Sequence, residues 1–515
     1  MYINTTTMKK SFIAIVLLLW VLANVYLVLH SSDNRSESKV KNVALLKESS
    51  PNDNEKDLPK HSLKKSEEKA QEIHNQIHNQ RHYRMSLRQD LEQCSVGMGL
   101  DDADLQEENF EKAVQFALHF IDFYQSVIPK SFLASYKNPC WYSNLSQDAI
   151  SVLSQLDSSA VLTPNYLKEL THLVFKKTHS KIQLICLPYF FVAGFPKSAT
   201  TTLDEGLRKH PQIIGPTRKE PHWWTRGAHS RESSKDRGAL SVTQYSLFFQ
   251  PVADALTSTS VSNLITYDAS QSTLWHSPLT GGLDYCILPA LMSRLLPDTK
   301  FVVMMRNPVD RLISHCIWSC KYHNGDDIRQ WPPEVLENGP KLLHDQVVEL
   351  TKSFEKCTET ASTYKCASTR FEYVSVRPGA IINHSLGFSR TLKSIPVANE
   401  CGKIGHRLDI GLYHVHIRKW LKFFPMKQFL FLRMEDLISD PFETMQKLTV
   451  FLDIDPISRD DTKQWFSEKI NKRTKEQDSI FRIKPSTIQL LNSFYSPHNE
   501  QLSELLGDDS FLWNH

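Results

Sequence analysis

None of the nine cysteines, at positions 94, 140, 186, 286, 316, 320, 357, 366 and 401, falls into a CxxC…CxxC arrangement, which argues against a structural zinc site. Charge of one sign is missing too: 60 Lys and Arg face 57 Asp and Glu, a formal net charge of +3 over 515 residues. Affinity for a polyanion therefore has to come from a local cleft, because no generally basic surface exists to supply it. The GxxxxGK[ST] spacing of a Walker A loop is absent, and no internal repeat is apparent. With 41% apolar residues, the chain can nonetheless bury a large α/β core or two smaller ones.

Long apolar runs are absent except at the N-terminus, where Lys9 and Lys10 precede an almost uninterrupted stretch from Phe12 to Leu29. Such a length spans a bilayer as a helix. No small-residue cleavage site clearly follows it, so the reading is a retained signal anchor over 11–30 with a cytosolic tail at 1–10, and a cleaved signal peptide is the alternative. Everything after His30 then faces a lumen, as in a single-pass type II membrane protein. Lumenal exposure makes the Asn-x-Ser sequons at Asn34, Asn144 and Asn383 glycosylation sites; Asn4 also matches but falls in the cytosolic tail. An oxidising lumen also suits disulfides. Cys357 and Cys366 close a short polar loop and form the preferred pair, whereas Cys316 and Cys320, one helical turn apart in an apolar helix, read as buried thiols. The odd total leaves at least one cysteine unpaired within the chain.

Aromatic residues are almost lacking from Ser31 to about His82, a polar segment that cannot support a core, and a lumenal stem over 31–99 is expected. Its repeat Ile73-His74-Asn75-Gln76, Ile77-His78-Asn79-Gln80 has no carboxylate or thiol partners and reads as tether, not metal site. Over 100–183, Phe110, Val114, Ala117, Leu118 and Ile121 recur at helical spacing, predicting a mainly helical region that Asn138 to Tyr142 interrupts. From 184 to 515 the pattern alternates. Short apolar runs at Tyr189–Ala193, Asn263–Tyr267, Phe301–Met305 and Phe429–Leu432 lie among helical stretches such as Leu412–Phe424, which predicts a three-layer α/β domain around a parallel sheet.

Two strand-to-helix junctions carry the chemistry. Gly194-Phe195-Pro196-Lys197-Ser198-Ala199-Thr200-Thr201-Thr202 offers open amides and a helix N-terminus as a phosphate cradle, with Lys197 as a mobile charge and the hydroxyls of Ser198, Thr200, Thr201 and Thr202 as donors. In the second, Arg306 emerges at the end of an apolar strand, Asn307 suits an N-cap and Pro308 the first helical position. Ser314 lies about two turns further on and can converge with Arg306 on one phosphate; a buried structural arginine is the alternative.

Together these segments resemble the 5'-phosphosulfate and 3'-phosphate binding motifs of sulfotransferases that use 3'-phosphoadenosine 5'-phosphosulfate (PAPS), in the same order and at a similar separation. Lys219-Glu220-Pro221-His222-Trp223-Trp224-Thr225-Arg226 looks like the lysine-glutamate motif of Golgi carbohydrate sulfotransferases. Within that group the chain is most similar to the N-acetylgalactosamine 4-sulfate 6-O-sulfotransferase family, through those segments and Ser272-Thr273-Leu274-Trp275, Cys357 with Cys366, Gly411-Leu412-Tyr413, and Leu432-Arg433-Met434-Glu435-Asp436. The likeness runs from about Leu187 to Trp513, and one departure stands out: Ala199 occupies a usual glycine position.

The resemblance implies a P-loop-like sulfotransferase domain in the Golgi membrane that uses PAPS, releases PAP and needs no metal. The acceptor would be a chondroitin or dermatan sulfate chain, with no role for nucleic acid. Lys197 would stabilise the leaving oxygens, and Glu220 would be the general base for a sugar 6-hydroxyl, with His222 the competing base. Trp223 and Trp224 offer a wall for a sugar ring or pack in the core, and Trp275 reads equally as near the cleft or in the core. Lys472 and Arg473, in a compact basic stretch, close over the donor, meet the glycan, or are simply solvated. A donor-binding but weakly active glycan-binding relative, motivated by Ala199, and a lumenal nucleotide-dependent kinase are the competing functions. A homodimer is compatible with the sequence, which fixes no oligomeric state.

Overall fold

A computed structural model describes residues 85–513, apart from 103–104, 106–107, 126–127, 130, 144–182, 226–241, 260, 277–285, 369–400, 402–406 and 468–481. The anchor at 11–30, the sequons at Asn34, Asn144 and Asn383, and the basic stretch with Lys472 and Arg473 lie outside the described residues. Among those described, no helix is long and apolar enough to cross a membrane.

Two antiparallel strands, β1 (Cys140–Ser143) and β2 (Gln183–Cys186), stand beside a central sheet of β3 (Phe190–Gly194), β4 (Tyr267–Asp268), β5 (Lys300–Met305) and β6 (Phe429–Arg433). The central sheet is parallel throughout, in the order β4-β3-β5-β6. Because successive side chains on a strand point to opposite faces, an apolar run on a strand implies that both faces are covered. Phe191, Ala193, Phe301, Val303 and Met305 join a larger apolar cluster on one face, while Phe190, Val192, Val302 and Met304 join a smaller one on the other.

The helices that supply these layers are α1 (residues 85–97), α2 (Glu108–Gln125), α3 (Thr200–Leu207), α4 (Ile287–Leu295), α5 (Pro308–Asn324), α6 (Pro333–Thr358), α7 (Tyr413–Trp420), α8 (Pro441–Leu452) and α9 (Pro485–Leu506). Leu203 and Leu207 of α3 and Met445, Leu448 and Leu452 of α8 cover the smaller face. On the larger face Phe301 stacks on Phe429 at 4.9 Å between ring centroids and meets Trp420 and Phe424 edge-on at 5.1 and 4.9 Å. Truncating such a ring costs about 3–5 kcal/mol.

Three expectations change here. Residues 85–97, assigned to the stem, form a helix whose Leu87 and Leu91 are fully buried, and Cys94 is bonded to Cys286, so the folded body begins well before residue 99. Polar composition upstream hid an amphipathic helix that the body buries. Cys320, read as a thiol, is bonded to Cys401; only Cys316 is a free buried cysteine, and burial pushes its thiol up to about 11. The segment at Asn138 to Tyr142 is more than an interruption. Asn138 Nδ2 donates to the Leu264 carbonyl at 2.7 Å, its Oδ1 accepts from the Thr266 amide at 2.9 Å, and Cys140 of β1 is bonded to Cys186 of β2. The preferred pair Cys357–Cys366 is present, and Phe110, Val114, Ala117, Leu118 and Ile121 are all buried on α2.

Candidate functional site

At the carboxyl end of β3, the chain turns through Phe195, whose amide donates to the Met304 carbonyl of β5 at 2.6 Å. This bond fixes the start of the loop to the neighbouring strand. Lys197 and Ala199 then adopt left-handed backbone conformations, φ 67° and 62°, and α3 begins at Thr200. Ala199 is thus the residue before the helix and is not helical itself, so the substitution of alanine for glycine falls where a Cβ is least welcome. Ser198 is fully buried, and its hydroxyl has no hydrogen-bond partner among the described residues, although it lies close to the Tyr413 phenol.

The second junction follows β5. Asn307 caps α5 by accepting from the Val309 amide at 3.0 Å, with Pro308 in the first turn. Two later segments brace it: Glu435 Oε1 accepts from the Asn307 amide at 2.9 Å, and the Tyr413 hydroxyl donates to the Arg306 carbonyl at 2.7 Å. The Tyr413 ring also packs on Phe195, centroids 4.6 Å apart, so one residue holds both junctions. Arg306 is largely buried, with Nη2 3.7 Å from Asp310 Oδ2.

Between the junctions lies a cleft of about 490 Å³. Lys197, Thr200 and Thr201 line it from the first, Ser314 from the second, and Glu220 with Lys219 from a third segment. Ser198, Ala199, Thr202, Arg306 and His222 are not among its lining residues. Four cations, Lys197, Lys219, Lys321 and Arg407, meet a single carboxylate, Glu220, on the described walls. Of the two tryptophans offered as a sugar wall, neither reaches it. Trp223 and Trp224 are 1% and 2% exposed, and Trp223 stacks on Tyr245 at 4.5 Å, because the larger core cluster takes both rings. Trp275 does line the cleft.

Glu220 and His222 both sit at positive φ, which folds their side chains into one network. The Glu220 carboxylate accepts from Lys219 Nζ and lies 3.4 Å from His222 Nε2; His222 Nδ1 is 2.7 Å from Ser272 Oγ, itself 2.7 Å from Thr225 Oγ1. With Nε2 protonated toward Glu220, Nδ1 accepts from the Ser272 hydroxyl. Burial acts to raise the Glu220 pKa, but the His222 hydrogen bond and the Lys219 charge outweigh it and hold the carboxyl at about 2. Burial lowers the Lys197 ammonium to about 8; Glu220 opposes this, and Lys321, Lys219 and Arg306 add to it.

Lys321 and Trp318 were not singled out from the sequence, although both follow Ser314 at helical spacing and a face-by-face reading of α5 finds them. Arg407 arrives from a distant segment with no local signal. Its Nη2 donates to Ser319 Oγ at 2.9 Å, and its carbonyl accepts from the fully buried Arg311. No group of three or more His, Cys, Asp or Glu suited to a metal ion occurs among the described residues.

A parallel sheet whose strand-end turns share a cation-rich cleft defines a protein that handles anionic groups, and the sulfotransferase domain family matches residues 187–480 of it. The chain belongs to that family and is a sulfotransferase. Carbohydrate sulfotransferase 15 of Rattus norvegicus is 29% identical over 419 residues, covering 75% of this chain and 67% of the relative. The protein of the same name from Homo sapiens is 28% identical over 417 residues, with the same coverage. These relatives bear out the motif-level resemblance. Among solved structures, a sulfotransferase from Alicyclobacillus acidocaldarius aligns with a TM-score of 0.36 at 18% identity, over 64% of this chain and 99% of its own.

Proposed function

We propose that this chain transfers a sulfuryl group from PAPS to a sugar hydroxyl of a glycosaminoglycan, with the 6-hydroxyl of N-acetylgalactosamine 4-sulfate in chondroitin or dermatan sulfate as the acceptor. The observation that carries this reading is the shared cleft, where Lys197, Thr200 and Thr201 of one turn and Ser314 beyond the other share walls with Lys219, Lys321, Arg407 and one carboxylate, Glu220. Carbohydrate acceptors are also what the names of these relatives state. A loop bent at Lys197 and Ala199, with Thr200 and Thr201 lining the cleft at the start of α3, fits a donor's phosphate oxygens.

In the proposed reaction the acceptor oxygen attacks sulfur, the bond from sulfur to the bridging oxygen breaks, and PAP leaves with that electron pair. Lys197 stands where charge grows on the leaving oxygens. Glu220, which lines the cleft, takes the acceptor's proton; His222, behind it, orients the carboxylate. A carboxyl held at about 2 is always ionised but is a reluctant base, so the reading requires its Lys219 or His222 partner to loosen as the acceptor arrives. Catalysis would take place in the Golgi lumen, with the 11–30 segment as anchor.

The purified lumenal region, incubated with radiolabelled PAPS and a panel of desulfated and 4-sulfated chondroitins, should label a 4-sulfated chain. Lys197→Ala and Arg306→Ala should each abolish labelling without changing secretion of the fragment. Donor binding without transfer to any glycan points instead to the weakly active relative, and phosphate transfer from ATP to a kinase. Activity surviving either substitution puts the donor elsewhere.

A further inference from the structure

One face of α5 carries Ser314, Trp318, Lys321 and Tyr322, at i, i+4, i+7 and i+8, so the row starts at the cleft and runs outward along the helix. Trp318 lines the cleft yet is 41% exposed, and Tyr322 is 69% exposed. Isolated surface aromatics need no explanation. These two rings are stacked on each other, centroids 5.1 Å apart and planes inclined by 26°, with Lys321 between them in sequence. Lys321 also lines the cleft, and its ammonium is steadied by Asp326 Oδ1 at 2.8 Å. The outer ring of the pair meets His323 edge-on at 5.1 Å and is otherwise open, so exposed aromatic surface with a cation at its edge lies beside the cleft.

We propose that the Trp318–Tyr322 pair is the platform for the acceptor glycan, with the apolar C–H face of a pyranose on the indole, the next sugar on the phenol, and Lys321 meeting an acidic substituent. This rests on the sulfotransfer reading above and specifies where its acceptor lies. The nucleotide base of the donor is the competing occupant, and the position of Lys197 decides between them. Its ammonium lies 5.5 Å from the Trp318 ring centroid, so the indole flanks the reacting end of the cleft, which the acceptor must enter, together with Glu220. A base would lie at the far end of the donor from the group being transferred.

The lumenal region carrying Trp318→Ala, Trp318→Phe or Tyr322→Ala tests this, with acceptor KM and kcat measured on 4-sulfated chondroitin tetrasaccharide and hexasaccharide, and PAP affinity by calorimetry. Trp318→Ala should raise acceptor KM about tenfold, the size of a lost ring contact, while PAP affinity stays within about twofold. Trp318→Phe, which keeps a ring, should recover most of the loss, and Tyr322→Ala should weaken the hexasaccharide more than the tetrasaccharide. A drop in PAP affinity with unchanged acceptor KM would assign the rings to the nucleotide and overturn the platform, as would no change in either. A wild-type protein that binds PAP but labels no glycan, or binds no PAP at all, sinks the sulfotransfer reading itself and the platform with it, a result visible before any variant is made.

Discussion

Ala199 holds a backbone conformation, φ 62° and ψ 21°, that costs a residue with a Cβ roughly 1–2 kcal/mol and glycine almost nothing. It persists because Phe195 is tied to β5 ahead of it and α3 is packed through Leu203 and Leu207 behind it. Ala199→Gly should therefore stabilise the protein by about 1 kcal/mol, net of the greater freedom glycine has in the unfolded chain, and raise the melting temperature by on the order of 2 °C. A fall in melting temperature would mean that the loop is not bent this way. The two candidate bases separate at the same scale. Glu220 reaches the cleft and His222 does not, although a single residue lies between them, because both take positive φ and fold back on each other.

At the scale of elements, α1 belongs to the folded body through the Cys94–Cys286 bond, Arg294 beside Asp90, and the burial of Leu87 and Leu91. The bond closes a separation of 192 residues, whereas Cys357–Cys366 closes 9. Chain-entropy reasoning gives about 5 kcal/mol for the longer loop and about 2.5 kcal/mol for the shorter, as upper figures when other bridges are intact. Cys94→Ala with Cys286→Ala should consequently lower the urea midpoint more than Cys357→Ala with Cys366→Ala. Equal shifts would show that α1 is held by packing alone. The polar pattern up to His82 gives no hint of this docking, since a short amphipathic helix and a tether differ little in composition.

For the molecule as a whole, the interface of α7 and α9 carries a pair, buried His414 and partly buried His498, stacked at 5.2 Å with Nε2 and Nδ1 3.0 Å apart. Burial lowers His414 to about 3, with His498, Arg418 and His416 adding to it, and burial lowers His498 to about 4. Both rings are therefore neutral when folded and take up protons near pH 6.5 when unfolded. The unfolded state binds more protons between those limits, so stability falls as pH drops from about 6.5 towards 4. A chain with His414→Gln and His498→Gln should lose less melting temperature between pH 7.5 and 5 than the wild type. An identical slope in both would remove the pair from the acid response.

Local signals settled much in advance. The apolar runs that became β3, β5 and β6, the Asn307 cap with Pro308, the buried face of α2 and the Cys357–Cys366 pair all depend on residues within a few turns of one another, where spacing alone dictates geometry. The folded chain alone decided what depends on distant segments meeting. Tyr413 joins the Lys197 and Arg306 turns, Cys401 claims Cys320, the core claims Trp223 and Trp224, and Arg407 completes the cation set of the cleft. None of these leaves a trace in its own neighbourhood, because burial and charge pairing are properties of the space that packing creates.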